Sequence, residues 1–284
     1  MEIRMLGALG VRLCGVSVVP SAPKPRQVLA LLALRADQVV PAAVLAEELW
    51  SERPPRSART TVQTYVLQLR DLIDRALVQG GGPGASCAKD VLVTSAGGYM
   101  LNSGGGLVDL QEFDRLAGQG YRAMDVGDFP LAACQLGEAL ALWRGPAFAD
   151  IKLGSQLVLE ARRLEETRLC ALDQRIEADL RLGRHRVLLA ELTVLVDRYR
   201  THESLYGQYM IALQRSGRRG EALEAYQRLR NTLVRESGME PSAALRRLRR
   251  SILLAAPERP DQEQPGALVD GLGVRTVARL TGVG

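Results

Sequence analysis

Histidine and cysteine are scarce in this chain of 284 residues, and neither is arranged for chemistry. The two histidines, His185 and His202, fall on what read as different helices, and the four cysteines, Cys14, Cys87, Cys134 and Cys170, form no CxxC pair. That excludes the usual Cys/His metal site and a disulfide framework, leaving reduced thiols, mostly buried or inert, as the expectation. Long hydrophobic runs are also missing. No stretch approaches 18 consecutive apolar residues, and the N-terminus MEIRMLGALGVRL lacks the layout of a signal peptide, so a cytoplasmic protein with no membrane partner is expected. Catalytic signatures are absent too: there is no P-loop, no GxSxG and no HExxH. The glycine-rich GGGPG at residues 80–84 has no Lys-Ser/Thr after it and reads as a connector, not a phosphate cradle. The expectation is a protein that is not an enzyme and holds no cofactor.

Aromatic residues make up only 4% of the chain against 46% apolar residues in all, so the core must be built from Leu, Ala and Val, which favours helix. The net charge of +5 permits a polyanionic partner without demanding one.

What is present falls into two textures. Residues 2–20 alternate as short strands around Gly7, Gly10 and Gly15, predicting a small antiparallel sheet. Pro23 and Pro25 then open a helix, KPRQVLALLALRAD, and Pro41 opens a second, AAVLAEELW, which closes at Trp50. A third helix follows Pro54-Pro55, with Ser57 as its expected N-cap, and runs to about Leu77. VQGGGPGASCAKD reads as a flexible loop, and DVLVTS, a Gly97-Gly98 turn and YMLN read as a hairpin. Strands, three helices and a hairpin are the layout of a winged helix.

From about Asp109 to Ala255 the pattern is continuous helix. Gly127, Gly183 and Gly217 are each followed at plus five by Ala132, Leu188 or Ala222, and at plus nine by Leu136, Leu192 or Tyr226. The last two glycines are 34 residues apart (217 minus 183), the tetratricopeptide period, whereas the first two are 56 apart (183 minus 127). WRGPAFADIKLGSQLVLEA therefore reads as an insertion. The fold class expected is mainly α: an N-terminal winged helix-turn-helix over residues 1–102, an all-α tetratricopeptide-like unit over 107–256, and a disordered tail over 257–284.

The third helix is the most informative element. At 100° per residue Val62, Val66, Leu69, Ile73 and Leu77 share a buried face. Opposite lie Thr60, Thr64, Leu67 and Asp71, flanked by Gln63 and Gln68, with Arg59 and Arg70 at the margins. Thr, Gln and Arg can reach base edges and phosphates, although a solvated face is the ordinary explanation for such a set. Lys24 and Arg26 add positive charge at another helix start, where a phosphate binds well.

The chain resembles the Streptomyces antibiotic regulatory protein family of transcriptional activators. The likeness runs through RMLGALGVRL, KPRQVLALLALRADQVVPAAVLAEELW, PPRSARTTVQTYVLQLRDLI, VTSAGGYML, GDFPLAACQLGEALALWRGPAFAD and GRRGEALEAYQRLRNTLVRESGMEPS, covering about residues 2–255. The resemblance implies a DNA-binding activator, acting on a secondary-metabolite gene cluster, that docks on tandem direct repeats of duplex DNA near a promoter's −35 element. It implies a second protomer side by side on the DNA, and contact with the sigma factor and further subunits of RNA polymerase. By position, Arg59, Thr60, Gln63, Thr64, Leu67, Gln68 and Arg70 would belong to the recognition helix, and Thr94, Ser95 and Gly97 to the wing. Trp50, Ser51, Glu52, Arg53, Pro54, Pro55 and Arg56 match the loop that meets the sigma factor. The chain departs from the family pattern at Ser95, where a basic residue is common, and at Gln68, where an arginine is common; its SERPPR loop is more basic than usual. An adaptor whose helical groove takes a peptide or small signal, with DNA binding secondary, is the second reading.

Overall fold

A computed structural model of the chain describes residues 1–51, 53–81 and 87–254. Three short strands come first: β1 (Glu2–Arg4), β2 (Gly10–Leu13) and β3 (Val16–Ser17). Helix α1 (Pro23–Leu34), strand β4 (Val40–Pro41) and helices α2 (Ala42–Trp50) and α3 (Ala58–Gln79) follow. A single turn of helix, α4 (Ala88–Val91), leads into the hairpin of β5 (Leu92–Ser95) and β6 (Gly98–Leu101). Strand β7 (Leu107–Val108) runs directly into α5 (Asp109–Asp125), and six more helices complete the described chain: α6 (Phe129–Ala141), α7 (Ser155–Arg181), α8 (His185–Arg198), α9 (Glu203–Arg215), α10 (Arg219–Ser237) and α11 (Ala243–Leu254).

The N-terminal part is a winged helix: α1, α2 and α3 are flanked by one sheet ordered β3-β2-β1-β7 and another ordered β4-β6-β5. The expected small antiparallel sheet gains a fourth strand, because β7 pairs parallel with β1, Ile3 opposite Val108. Short β4, too brief to show periodicity, pairs with β6 and anchors the hairpin to the start of α2. The register of Ser95 opposite Gly98 makes Ala96 and Gly97 the turn, so Gly98 is already strand. The glycine-rich loop is shorter than expected, since α3 continues through Gln79 and α4 begins at Ala88; residues 82–86 lie outside the described residues, as do Ala255 and the expected tail at 257–284. All four cysteines are exposed, which corrects the expectation that they are mostly buried.

Helix α1 is buried on every side from Gln27 to Ala33, so it is the spine of the winged helix and not an amphipathic cover. Val62, Val66, Leu69 and Ile73 of α3 pack against it as the 3.6-residue period requires, and Leu77 is half-buried. Ser57 stands at the N-cap position of α3 without using its hydroxyl as a cap; its carbonyl instead accepts from the N–H and the hydroxyl of Thr61.

In the helical part Gly127, Gly183 and Gly217 have φ of 77°, 74° and 76°, the left-handed conformation that turns each helix pair back on itself. Ala132, Leu188 and Ala222, five residues on, are buried, as are Leu136, Leu192 and Tyr226. The apolar core does not divide where the two textures meet. One cluster runs from Ile3 through Phe113, Trp143 and Phe148 to Ala171. A second begins at Ile176 and includes α8 to α11. The changeover falls within α7, whose N-terminal half packs with the winged helix and whose C-terminal half packs with the last helical pairs.

Candidate nucleic-acid interface

The irregular spacing of the first repeat has a structural purpose. The insertion after α6 docks on the connection between β1 and β2: the N–H groups of Arg144, Phe148 and Ala149 donate to the carbonyls of Leu6, Met5 and Gly7. Three carboxylates complete this junction. Asp109, at the start of α5, accepts from the N–H groups of Met5 (2.9 Å) and Leu6 (3.1 Å) and pairs with Arg144 at 2.6 Å. Asp150 accepts from Leu9 N–H at 2.8 Å and pairs with Arg26 at 3.1 Å. Glu48 of α2, 1% exposed, receives the N–H groups of Gly154 (2.6 Å), Gln156 (2.9 Å) and Leu157 (3.1 Å), together with the Gln27 amide at 2.9 Å. Those backbone groups are the orphan donors at the start of α7, so a carboxylate on α2 caps a helix more than a hundred residues away in sequence. Only glycine fits at 154, because a Cβ there would lie 1.9 Å from the Glu48 carbonyl oxygen.

This junction holds two residues expected at DNA. Lys24 donates to the Leu49 carbonyl and sits 5.9 Å from the centre of the Trp50 ring; burial, and then the charge of Lys152, pull its pKa below the ordinary lysine value. Arg26 donates to Pro20 O at 3.0 Å besides its pair with Asp150. Both cations have internal partners in the fold, which the expectation of phosphate binding at this helix start does not include. Neither pairing follows from the sequence alone, since Leu49, Trp50 and Asp150 arrive from other segments.

The other side of the winged helix is open. Arg59, Thr60, Gln63, Thr64, Leu67 and Gln68 of α3 are exposed, Leu67 at 59%. Thr64 returns its hydroxyl to the Thr60 carbonyl at 3.1 Å; Arg59, Gln63 and Gln68 have no side-chain partner among the described residues. A groove of about 710 Å³ runs between α2, the start of α3 and the β5–β6 hairpin. It gathers Ser51, Pro54, Pro55 and Arg56 of the loop, Arg59 and Gln63 of α3, and Thr94, Ser95 and Gly97 of the hairpin. Thr60, Thr64, Leu67 and Gln68 do not line it: Thr60 lies between Arg59 and Gln63, and the other three lie further along α3. Trp50 and Arg53 line an adjoining hollow with Glu47, Ser51 and Ser155. Arg53, Arg56 and Arg59 have no carboxylate partner among the described residues.

Arg70 does not join this face. Its guanidinium donates to the Leu92 carbonyl at 2.7 Å and to the Thr94 hydroxyl, also at 2.7 Å, bracing the hairpin against α3. The expectation has Arg70 among the recognition-helix residues; in the fold its guanidinium braces the hairpin. The loop after α2 is exposed and sharply bent at Ser51, whose φ of 54° with ψ of −130° is unusual for a residue with a side chain. Trp50 ends α2 half-buried, its ring against the core as the apolar pattern implies. Glu52 lies outside the described residues.

Glu48, Asp109, Asp150 and Arg144 were not singled out in the sequence. Glu48 had a detectable signal: it falls three residues after Leu45 and just before Leu49, on the face of α2 that packs inward, where an unpaired carboxylate is not tolerated.

Comparison with known proteins adds independent findings. Residues 108–253 match the bacterial transcriptional activator domain, and residues 17–80 match the family described as transcriptional regulatory protein, C terminal. The regulatory protein DnrI of Streptomyces peucetius is 50% identical over 270 residues, covering 94% of this chain and 98% of that protein. The transcriptional regulatory protein MoaR1 of Mycobacterium tuberculosis is 34% identical over 258 residues, covering 90% of this chain and 80% of that one. Among solved structures, Mycobacterium tuberculosis EmbR in complex with a low-affinity phosphopeptide superposes with a TM-score of 0.79 at 32% identity, covering 89% of this chain and 64% of that one.

Proposed function

The chain belongs to the Streptomyces antibiotic regulatory protein family of transcriptional activators, and from that premise we propose that it reads tandem direct repeats of duplex DNA with α3 and brings RNA polymerase to a neighbouring promoter. The observation that carries this reading is the open face of α3. Thr60, Gln63, Thr64 and Leu67 follow the i, i+3, i+4, i+7 spacing of one helical stripe, and no other part of the described chain covers them.

A major groove admits one α-helix, and each of these side chains has a use there. Gln63 can give and accept the paired hydrogen bonds that select adenine, and Leu67 can lie against a thymine methyl. Arg56 and Arg59, without a carboxylate partner among the described residues, suit backbone phosphates, which set orientation without selecting sequence. Thr94, Ser95 and Gly97 stand across the same groove and would meet a neighbouring phosphate, with Arg70 fixing how far the hairpin leans. The loop at residues 50–56 would face the sigma factor, its shape restricted by the bend at Ser51 and the fixed φ of Pro54 and Pro55.

Two protomers bound side by side, one per repeat, would supply the length of sequence that a single winged helix lacks. The winged helix at residues 1–102 would carry the reading, and the helical unit at 107–256 the contacts that follow from it. The target would be a secondary-metabolite gene cluster, and the place of action the nucleoid in the cytoplasm.

A gel shift and footprint on a duplex with two repeats tests the reading. Cooperative binding is expected with the repeats one helical turn apart, and its loss is expected when one is moved by half a turn. Equal affinity at both spacings would contradict the side-by-side arrangement, and no sequence preference at all would contradict α3 as the reader.

A further inference from the structure

Helix α11, AALRRLRRSILL, contains four arginines and no acidic residue. Leu245 and Ile252 are buried against α9 and α10, with Leu248 half-buried beside them. At about 100° per residue, Arg246, Arg247 and Arg250 span an arc of roughly 100° on the opposite side. All three are exposed, and none forms an ion pair among the described residues. Arg246 feels the charge of Glu240, but that carboxylate is already held at both oxygens by Arg230, at 2.6 and 2.7 Å. Arg249 is employed differently, its guanidinium 5.1 Å from the centre of the Tyr226 ring.

Arginines elsewhere in the helical unit are mixed in this respect, since Arg186 and Arg228 likewise form no ion pair among the described residues whereas others do. Arg163, Arg181 and Arg218 each pair with a glutamate three or four residues away. On α11, Arg246 and Arg250 are i,i+4 neighbours of like charge, an arrangement that destabilises a helix unless an anion is present. We infer that the face formed by Arg246, Arg247 and Arg250 binds the phosphate backbone of duplex DNA beyond the sequence read by α3; this rests on the reading of the chain as a DNA-bound activator.

The apolar side of α11 is used up against α9 and α10, so the helix is not built to lie in a bilayer surface, which needs that side free. Its guanidinium forks suit phosphate oxygens. A chain already held on DNA through α3 also meets flanking phosphates at a raised local concentration, so the contact needs no sequence preference of its own.

The test compares the wild-type chain, R246Q/R247Q/R250Q and R246K/R247K/R250K on two duplexes: the repeats alone, and the repeats flanked by random sequence on both sides. Arg249 is kept so that its stacking on Tyr226 survives, and a thermal melt reports folding of each variant. The wild type should bind the long duplex about fivefold or more tighter at low salt, with a steeper dependence on salt by about 0.9 for each added phosphate contact. The Gln variant should bind both duplexes as the wild type binds the short one, and the Lys variant should keep much of the advantage. A Gln variant that keeps the full advantage, or a wild type that shows none, overturns the inference. So does a Gln variant unchanged on DNA but no longer retained by purified RNA polymerase, which would give the face to an acidic protein segment. Failure of α3 as the reader shows separately, as absence of sequence preference on the short duplex.

Discussion

Two sides of the winged helix carry polar side chains, and they use them in opposite ways. At the junction with α5–α7, Glu48, Asp109 and Asp150 each accept backbone N–H groups from a distant segment, and Arg26 and Arg144 each have a carboxylate. On the α3 side, Arg56, Arg59, Gln63 and Gln68 are exposed with no partner among the described residues. A polar group taken from water must be matched or it costs stability, so the carboxylates of the junction are saturated, although the buried Trp143 indole N–H beside them has no partner among the described residues. A face meant for an external partner has to stay unmatched until that partner arrives. Charge alone does not distinguish the two: Lys24 and Arg26 look as suitable for phosphate as Arg59, and only their internal partners set them apart.

Breaking the saturated side should have the largest effect. Glu48→Ala strips the N-terminus of α7 of its cap and leaves the N–H of buried Leu157 and those of part-buried Gly154 and Gln156 without an acceptor. The expected loss is about 3–5 kcal/mol of unfolding free energy, read by urea titration; a loss below about 1 kcal/mol would mean that water or a rearranged loop replaces the carboxylate. Asp109→Asn should cost about 2–3 kcal/mol in the same titration, because one oxygen that accepts from Met5 or Leu6 becomes a donor.

On the unmatched side the pattern should invert. Gln63→Ala should leave unfolding within about 0.5 kcal/mol of the wild type, yet weaken binding to the proper repeat by about 1–3 kcal/mol and relax discrimination at one base pair. Unchanged discrimination would mean that the base-reading stripe lies elsewhere on α3. The smallest effects sharpen the comparison between cations. Arg59→Ala should shallow the salt dependence of DNA binding by about one phosphate's worth, whereas Lys24→Ala should leave that slope unchanged. A reduced slope for Lys24→Ala would return that residue to the DNA.

Local pattern made much of this legible. Proline at helix starts, the period of Val62, Val66, Leu69 and Ile73, and glycines at 127, 183 and 217 are short-range signals, and the elements they announce are present. The open stripe of α3 was readable for the same reason, as the complement of a buried face. The junction was not. Asp109 meets Met5, and Glu48 meets Gly154, across more than a hundred residues, and no periodicity records which carboxylate will find which N–H. Segment 143–161 reads as an insertion between repeats because its partners, Met5, Leu6 and Gly7 among them, lie in another part of the chain. Strands β4 and β7, of two residues each, exist only through the partners β6 and β1 that they meet.

The central claim is that the unmatched side faces DNA and the saturated side faces the protein. A photoreactive side chain placed in turn at Gln63 and at Lys24, in the full chain bound to its repeats, tests it most directly. The account predicts cross-links from position 63 to one base position within each repeat and none from position 24. Cross-linking of DNA from position 24, with none from position 63, would contradict it.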